Sequence, residues 1–236
     1  MNKHRLIEQF KKSGYLKIPS LFSNGELIEL IDKLTKAQSK LETQSGLNKK
    51  GLTFYSNLFH HSTDLQHLIA EKKISETVEA VSESNVWVRW DQTITKAPGG
   101  HPFPWHRDNA YNRLKVEHYH FWIALTVMNE ENGGFWIIPE SHNWDMMNHY
   151  RKGNHWAVDI DDSNAICINA KPGDALMFSS KMLHKTEVNR SITNRTAYVI
   201  EFMKQQAFDP EVSSPYFFIN EGLPDLLNKH PRDLWW

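Results

Sequence analysis

The chain has 236 residues, of which 40% are hydrophobic and 23% charged, so a disordered or fibrous protein is excluded. The 27 Lys and Arg residues balance 28 Asp and Glu residues, and the net charge of −1 argues against nucleic acid or an anionic membrane as a partner. The single cysteine, Cys167, rules out an intrachain disulfide and favours the cytoplasm. The longest apolar run, residues 121–128, is too short to span a bilayer.

The first third of the chain has the apolar periodicity of helices. An amphipathic helix is predicted over residues 4–13. Ser23 and Glu26 form a capping-box pattern, which predicts that a second helix starts there. A further helical stretch is predicted over roughly 64–82. We therefore expect residues 1–84 to form a mainly helical flank.

After residue 85 the pattern changes to short runs with a period of two, separated by glycine-containing turns. Strands are predicted there at 86–94, 119–128, 134–138, 165–169, 174–179 and 194–203, and one earlier strand is predicted at 15–18. Helices followed by many short strands favour a mainly β architecture with flanking helices, such as a β-sandwich or jelly roll. We expect one domain over 1–236, with a β core over 85–205 and a C-terminal tail over 206–236.

Three residues have the chemistry of a metal centre. His106 and Asp108 are two apart, and on a strand such positions point to the same side, where they could bind one ion. His184, which follows another predicted strand, is the best third ligand. Two histidines and one carboxylate form the facial triad of non-haem Fe(II) oxygenases, which leaves positions open for a co-substrate and oxygen.

Arg195 lies eleven residues after His184, on a predicted strand that can place it inside a barrel. A buried arginine needs an anionic partner, and a carboxylate that accepts two hydrogen bonds is the natural one. 2-Oxoglutarate supplies such a carboxylate at one end, and its α-keto acid end can chelate iron. The residues thus indicate an iron site and an anion site.

These residues, in this order and spacing, resemble the phytanoyl-CoA dioxygenase family of Fe(II)/2-oxoglutarate-dependent oxygenases. The resemblance covers nearly the whole chain and includes His106, Arg107, Asp108, 122–125, Asn132, Gly133, 138–142, Gly173, Asp174, His184, Thr186, Asn189, Ser191 and Arg195. It implies a double-stranded β-helix, which is a cupin-like jelly roll. It also implies Fe(II) bound by His106, Asp108 and His184, 2-oxoglutarate bound by Arg195, and O2 as the oxidant.

Three further residues are expected to contact the co-substrate. Thr186 replaces the serine that the family often has two residues after the distal histidine, and it keeps the hydroxyl. Gln92 and Trp122 fall on strands where the family places co-substrate contacts. Another departure is Glu140, which stands where the family often has glycine, and it concerns the local turn rather than the metal.

His101, Trp105 and Tyr111 flank the metal motif, so a substrate role is expected for them. Residues 140–164 lack a clear periodicity and are rich in His, Trp and Asn. Such a long connection is either a surface excursion or a lid over the active site, with Gly153 as a hinge.

The resemblance implies a dioxygenase that hydroxylates an aliphatic carbon of a small organic molecule and releases succinate and CO2. One alternative is a cupin-like metalloenzyme that does not use 2-oxoglutarate. It requires a His-x-His motif, for which only His118 and His120 qualify, and it leaves Arg195 unexplained. The other alternative, a non-catalytic small-molecule-binding jelly roll, is disfavoured by the intact triad. No sequence pattern sets the substrate's identity or the oligomeric state.

Overall fold

The computed structural model describes residues 3–41, 50–207, 209 and 211–212, together with the backbone of 216–217. The helices are α1 (Lys3–Ser13), α2 (Asn24–Ser39), α3 (Thr63–Ile69), α4 (Lys72–Ser82) and α5 (Asn109–Asn112). Two short 3-10 helices are formed by Leu58–His61 and Ser141–Asn143. Within these ranges, every helix is too short or too polar to cross a membrane.

Most of the chain forms antiparallel strands. They are β1 (Tyr15–Ile18), β2 (Leu52–Ser56), β3 (Val86–Lys96), β4 (Phe103–His106), β5 (Tyr119–Ala124), β6 (Phe135–Ile137), β7 (Tyr150–Lys152), β8 (His155–Ala157), β9 (Ile166–Ile168), β10 (Ala175–Ser179), β11 (His184–Thr186), β12 (Arg195–Lys204) and β13 (Tyr216–Phe217). A seven-stranded sheet has the order β1-β10-β5-β12-β3-β13, with β2 also paired to β3. A four-stranded sheet has the order β4-β11-β6-β9, and β7 and β8 form a separate hairpin. The expected mainly β jelly roll with flanking helices is confirmed.

The large sheet buries both of its faces, and side-chain alternation decides which residues face which side. On β5, Phe121 and Ile123 pack with the helices in the larger hydrophobic core. Their neighbour Trp122 points the other way and packs with Phe135 and Ile137 of the smaller sheet. The second group lies inside the jelly roll, so the functional side chains must come from this face.

The helical flank follows the sequence pattern with one difference. The capping box of α2 is present, since Ser23 and Glu26 bond each other's backbone amides. The single helix expected over 64–82 is instead two helices, because α3 ends at Ala70 and Glu71 has an extended ψ of 138° before α4.

The flank also supplies two strands, β1 and β2, to the large sheet. Flank and core therefore share one sheet. The single-domain expectation over 1–236 stays a prediction, because most of 206–236 lies outside the described residues.

A buried carboxylate connects the large sheet to the helical layer. Asp91 on β3 is fully buried and accepts hydrogen bonds from the Tyr198 hydroxyl (2.6 Å) and the Phe59 backbone amide (3.1 Å). Phe59 belongs to the first 3-10 helix, so this carboxylate fixes the flank to β3 and β12. A buried carboxylate that lost a donor would carry a large desolvation penalty.

We therefore expect Tyr198→Phe to lower the free energy of unfolding by about 1–3 kcal/mol, the cost of leaving a buried acceptor without one of its donors. Urea denaturation measures this. Tyr55→Phe is the control, since within the described residues no hydrogen bond of the Tyr55 hydroxyl is seen and its ring packs against the same core. An equal loss in both variants would show that Asp91 does not depend on Tyr198.

Candidate active site

The pairing of β4 with β11 sets the geometry of the candidate metal centre. His106 at the end of β4 lies directly opposite His184 at the start of β11, and their ring centroids are 4.2 Å apart. Asp108 lies beyond the end of β4, with helical φ and ψ of −64° and −27°, at the start of α5. The expectation that His106 and Asp108 share a strand is therefore wrong for Asp108.

The helical turn nevertheless brings the three side chains together. The Asp108 carboxylate oxygens lie 3.6 Å from His106 Nε2 and 3.5 Å from His184 Nε2. One potential ligand atom from each of the three residues lies within 4.8 Å of the other two. Two imidazole nitrogens and a carboxylate at this spacing fit a single divalent ion.

Both imidazoles are oriented for metal binding through Nε2. His106 Nδ1 lies 2.7 Å from the Pro104 carbonyl and His184 Nδ1 lies 3.0 Å from the Met182 carbonyl. Because a carbonyl oxygen only accepts, each Nδ1 carries the hydrogen and each Nε2 keeps its lone pair. Burial lowers the pKa of His184 to about 4 against the opposing charge of Asp108, so the ring is neutral, as a metal ligand must be.

The Asp108 carboxylate is held in place by a fourth residue, His120 on β5. His120 Nε2 lies 3.0 Å from Asp108 Oδ2, and the ring stacks on Phe178 at 4.8 Å. Burial alone would raise the pKa of Asp108, but its interactions with the surrounding histidine side chains hold it well below the usual range. His120, considered in the sequence as a rival ligand, is thus the neighbour that orients a ligand.

The His-x-His pair has a partner that the sequence did not reveal. Glu201 on β12 joins His118 and His120 in a second group of potential ligand atoms within 4.8 Å. However, the Arg89 guanidinium lies 2.6 Å from the Glu201 carboxylate, where its charge would repel a metal cation. His118 Nε2 is occupied by the Asn112 amide at 3.1 Å. The second group is therefore a poor metal site.

A cavity of about 400 Å³ is lined by all three residues of the triad. Arg195 and Thr186 line it, as do Gln92 and Trp122. The structure thus brings together all four of the residues that were expected to contact 2-oxoglutarate.

Arg195 is only 3% exposed and forms no salt bridge within the described part of the chain. Its closest polar contact is the Met128 sulfur at 3.9 Å, its Nε has no hydrogen-bond partner, and its guanidinium carbon lies 5.7 Å from the centre of the Trp122 ring. Burial lowers the pKa of Arg195 to about 10, which leaves it charged. A buried guanidinium without a counter-ion fits a ligand carboxylate.

Of the three expected substrate residues, only Tyr111 lines the cavity. His101 is exposed, and the Trp105 indole donates to Asp162 (3.0 Å) on the other side of β4. Strand alternation explains the position of Trp105, which neighbours His106 and points to the opposite side of β4. A register shift, in which His184 pairs with His106 but Thr186 pairs with Phe103, also turns Phe103 toward the cavity. His101 and Trp105 therefore do not line the cavity.

The aperiodic segment 140–164 contains the hairpin of β7 and β8, with Gly153 at its turn in a left-handed conformation (φ +61°). The hairpin adjoins the cavity, since the Trp156 amide donates to the Tyr111 hydroxyl at 3.3 Å. Arg107, between two candidate ligands, donates to the carbonyls of Ser141 (2.7 Å) and Trp144 (3.1 Å). This location is compatible with a lid, which stays a prediction.

A jelly roll whose interior holds two histidines, a carboxylate and an unpaired arginine has the fold and the site of a non-haem iron oxygenase that uses 2-oxoglutarate. Residues 10–197 match the family model described as phytanoyl-CoA dioxygenase (PhyH). The chain belongs to this family.

Individual relatives are distant. The chain is 24% identical over 208 residues to methylphosphonate hydroxylase of Gimesia maris, covering 82% of this chain and 78% of the relative. It is 20% identical over 223 residues to a probable alpha-ketoglutarate-dependent hypophosphite dioxygenase of Stutzerimonas stutzeri, covering 85% and 78%. Among solved structures, the epimerase SnoN in complex with Fe3+, alpha ketoglutarate and nogalamycin RO has a TM-score of 0.74 at 16% identity, covering 88% of this chain and 86% of SnoN.

Family membership makes the protein an Fe(II)/2-oxoglutarate-dependent dioxygenase with O2 as oxidant, as expected from the sequence. The two alternatives, a metalloenzyme that does not use 2-oxoglutarate and a non-catalytic binding protein, find no support in these matches.

We expect His106→Ala, Asp108→Ala and His184→Ala each to weaken Fe(II) binding by more than about a hundredfold, since loss of even an outer partner of a ligand costs 10–100-fold. Anaerobic equilibrium dialysis with metal analysis measures this. The exposed His101→Ala is the control and should bind Fe(II) normally. If only His118→Ala lost the metal, the ion would belong to the second histidine group.

We also expect Tyr111→Phe to speed amide hydrogen exchange at Trp156 by about two- to tenfold, because one hydrogen bond contributes roughly 0.5–1.5 kcal/mol. Nuclear magnetic resonance reports this amide individually. Tyr150→Phe is the matched control, since the Tyr150 hydroxyl donates to Asp159 and not to Trp156. Unchanged exchange in Tyr111→Phe would mean that Tyr111 does not hold the hairpin at the cavity.

Proposed function

We propose that this dioxygenase hydroxylates an aliphatic carbon of a small organic molecule, with Fe(II) on His106, Asp108 and His184 and 2-oxoglutarate on Arg195. The observation that carries the proposal is that one cavity is lined both by the triad and by a buried guanidinium that lacks a counter-ion. The first group accepts a cation and the second accepts an anion.

The two arginines that line the cavity differ in how their charge is balanced. Arg89 is paired with Glu201 at 2.6 Å and with Asp209 at 2.5 Å, whereas Arg195 pairs with no carboxylate in the described part of the chain. An incoming carboxylate therefore gains a full ion pair only at Arg195. This difference supports placing the co-substrate at the Arg195 end and the substrate near Arg89.

The substrate end combines aromatic walls with a few polar groups. Trp90 and Tyr111 line the cavity there, together with Glu201. Burial raises the pKa of Tyr111 to about 12, so its hydroxyl keeps its proton and remains a hydrogen-bond donor. Apolar walls with few convergent polar groups are typical of sites for small organic molecules.

Bound iron would supply the redox chemistry by which O2 and 2-oxoglutarate are converted to succinate and CO2 while the substrate is oxidised. The protein contributes position and exclusion of water. Asp108 offsets one positive charge of the metal, and His120 keeps that carboxylate in place. Phe135 and Phe178, packed against His184, keep this wall apolar.

We keep the cytoplasm as the expected compartment. The proposal rests on the single cysteine in the sequence and on the need of Fe(II) for a reducing environment.

We expect the Fe(II)-loaded wild type to release succinate from 2-oxoglutarate slowly without substrate. We also expect Arg195→Ala to raise the 2-oxoglutarate Kd by about tenfold or more, because charge-assisted hydrogen bonds contribute roughly 1.5–3 kcal/mol each. Succinate is followed by mass spectrometry and affinity by anaerobic calorimetry. Arg195→Lys, which keeps the charge, should lose less affinity. An unchanged Kd in Arg195→Ala would contradict the assignment.

A further inference from the structure

Beside Arg195, which lines the cavity, lies a second basic side chain, Lys96. It is the last residue of β3 and pairs in register with Arg195, the first residue of β12. Its exposure is 0%, which is rare for lysine unless the amine serves an electrostatic or hydrogen-bonding role. Two basic side chains thus leave neighbouring strands at the same level of the jelly roll.

The backbone around Lys96 provides room for its side chain. A Cβ atom at Gly100 would come within 2.7 Å of Lys96 Cγ, and one at Gly133 within 2.8 Å of Lys96 Cδ. Gly133 also has a φ of +80°, which L residues rarely adopt. The two glycines therefore let the lysine stem pass between them and fix the direction of its amine.

The amine lies among hydrogen-bond acceptors but has no counter-ion. Lys96 Nζ donates to Thr186 Oγ1 at 2.8 Å and to the Glu187 carbonyl at 2.5 Å. Within the described residues it makes no salt bridge with a carboxylate. Burial, reinforced by the charge of Arg195, lowers the pKa of Lys96 to about 6. A bound anion nearby would raise this pKa and favour the ammonium form of Lys96, which can only donate hydrogen bonds.

The contact with Thr186 determines how its hydroxyl can act. Thr186 Oγ1 accepts from Lys96 Nζ and from the Phe103 backbone amide at 3.4 Å. A hydroxyl oxygen has two lone pairs and one proton to donate. With both lone pairs engaged, the proton of Thr186 is left for an acceptor elsewhere, and the residue lines the cavity that also contains Arg195.

We propose that Lys96 is a positioning residue for the co-substrate, which turns the Thr186 hydroxyl into a dedicated donor and adds a second basic group beside Arg195. The inference rests on the proposed function, because it takes the Arg195 end as the site of a 2-oxoglutarate carboxylate. Lys96 acts through Thr186 and through the local charge, and it does not contact the metal ligands.

The test is anaerobic calorimetry of the protein loaded with Mn(II), which does not turn over, titrated with 2-oxoglutarate. Lys96→Met keeps the stem and removes the amine, and we expect the Kd to rise about tenfold, which corresponds to about 1.4 kcal/mol. Thr186→Val should have a similar effect. The double variant should lose little more than either single variant, since both changes remove the same oriented donor.

Controls separate this role from a structural one. Lys185→Met removes the lysine next to Thr186 whose amine pairs with Asp162 and Glu187, and it should leave the 2-oxoglutarate Kd unchanged. Mn(II) affinity and the far-ultraviolet circular dichroism of Lys96→Met should match wild type. In Fe(II)-loaded protein, the KM for 2-oxoglutarate should rise in Lys96→Met while the rate of succinate release at saturating 2-oxoglutarate is kept.

Three outcomes decide the proposal. An unchanged 2-oxoglutarate Kd in a folded Lys96→Met protein overturns it, provided that Arg195→Ala weakens binding. If Lys96→Met does not fold, Thr186→Val and Thr186→Ser decide. A weaker affinity for 2-oxoglutarate in the valine variant alone supports an oriented hydroxyl, whereas the same 2-oxoglutarate affinity in the two variants overturns the proposal. If Arg195→Ala also binds normally, the proposed function itself fails.

Discussion

Charge buried inside the jelly roll is the constraint on which the site depends. The described residues place a carboxylate, Asp108, at the candidate metal centre and two buried basic groups, Arg195 and Lys96, side by side on β12 and β3. Neither basic group forms a salt bridge in the described part of the chain, and burial lowers the pKa of Arg195 to about 10 and that of Lys96 to about 6. The fold tolerates this arrangement if the missing partners are ligands, namely a metal cation at one place and an organic anion at the other.

Two breaks in strand pairing direct the side chains of this site. On β3, Glu201 pairs with Trp90 and Phe202 with Val88, so Arg89 has no partner on β12 and turns into the cavity together with Trp90. Between β4 and β11, the register shift turns Phe103 toward the interior, on the same side as His106. Irregularities of this kind re-aim side chains without disturbing the sheet around them.

These breaks also mark the limit of what the sequence could predict. The triad and Arg195 were predictable because two histidines, a carboxylate and an arginine in this order and spacing are typical of one kind of site. Period-two reading of β3, by contrast, puts Val88 and Gln92 on the same face, whereas in the structure Val88 packs with the helices and Gln92 lines the cavity. The alternation reverses at Arg89, which has no partner on β12. No local pattern reveals this reversal, because the position of the extra residue depends on which strand pairs with β3.

Short elements were missed for a related reason. β4 and β11 contain only four and three residues, too few for a periodic signal, although they carry two of the candidate ligands. Lys96 lies on the same face as Gln92, but a lysine just before a turn usually reaches solvent. Its burial depends on Gly100 and Gly133. These two glycines are far apart from each other in sequence, and both lie against the lysine stem only in the folded chain.

The two ends of the cavity differ in how their charge is balanced, so co-substrate binding and substrate selection can depend on different residues. In the proposed function, affinity at the Arg195 end would come from a buried guanidinium that has no carboxylate partner among the described residues, so this end would favour an anion. At the other end, Arg89 is already balanced by Glu201 and Asp209, and a substrate there gains mainly from shape and apolar contact. The wall at that end includes Tyr111, which contacts the adjoining β7–β8 hairpin, and both lie outside the paired core of the jelly roll. In the proposed function, substitutions of Tyr111 and of the hairpin would alter which carbon reaches the metal without touching the ligands or the anion end, so selectivity and co-substrate binding would be physically separable.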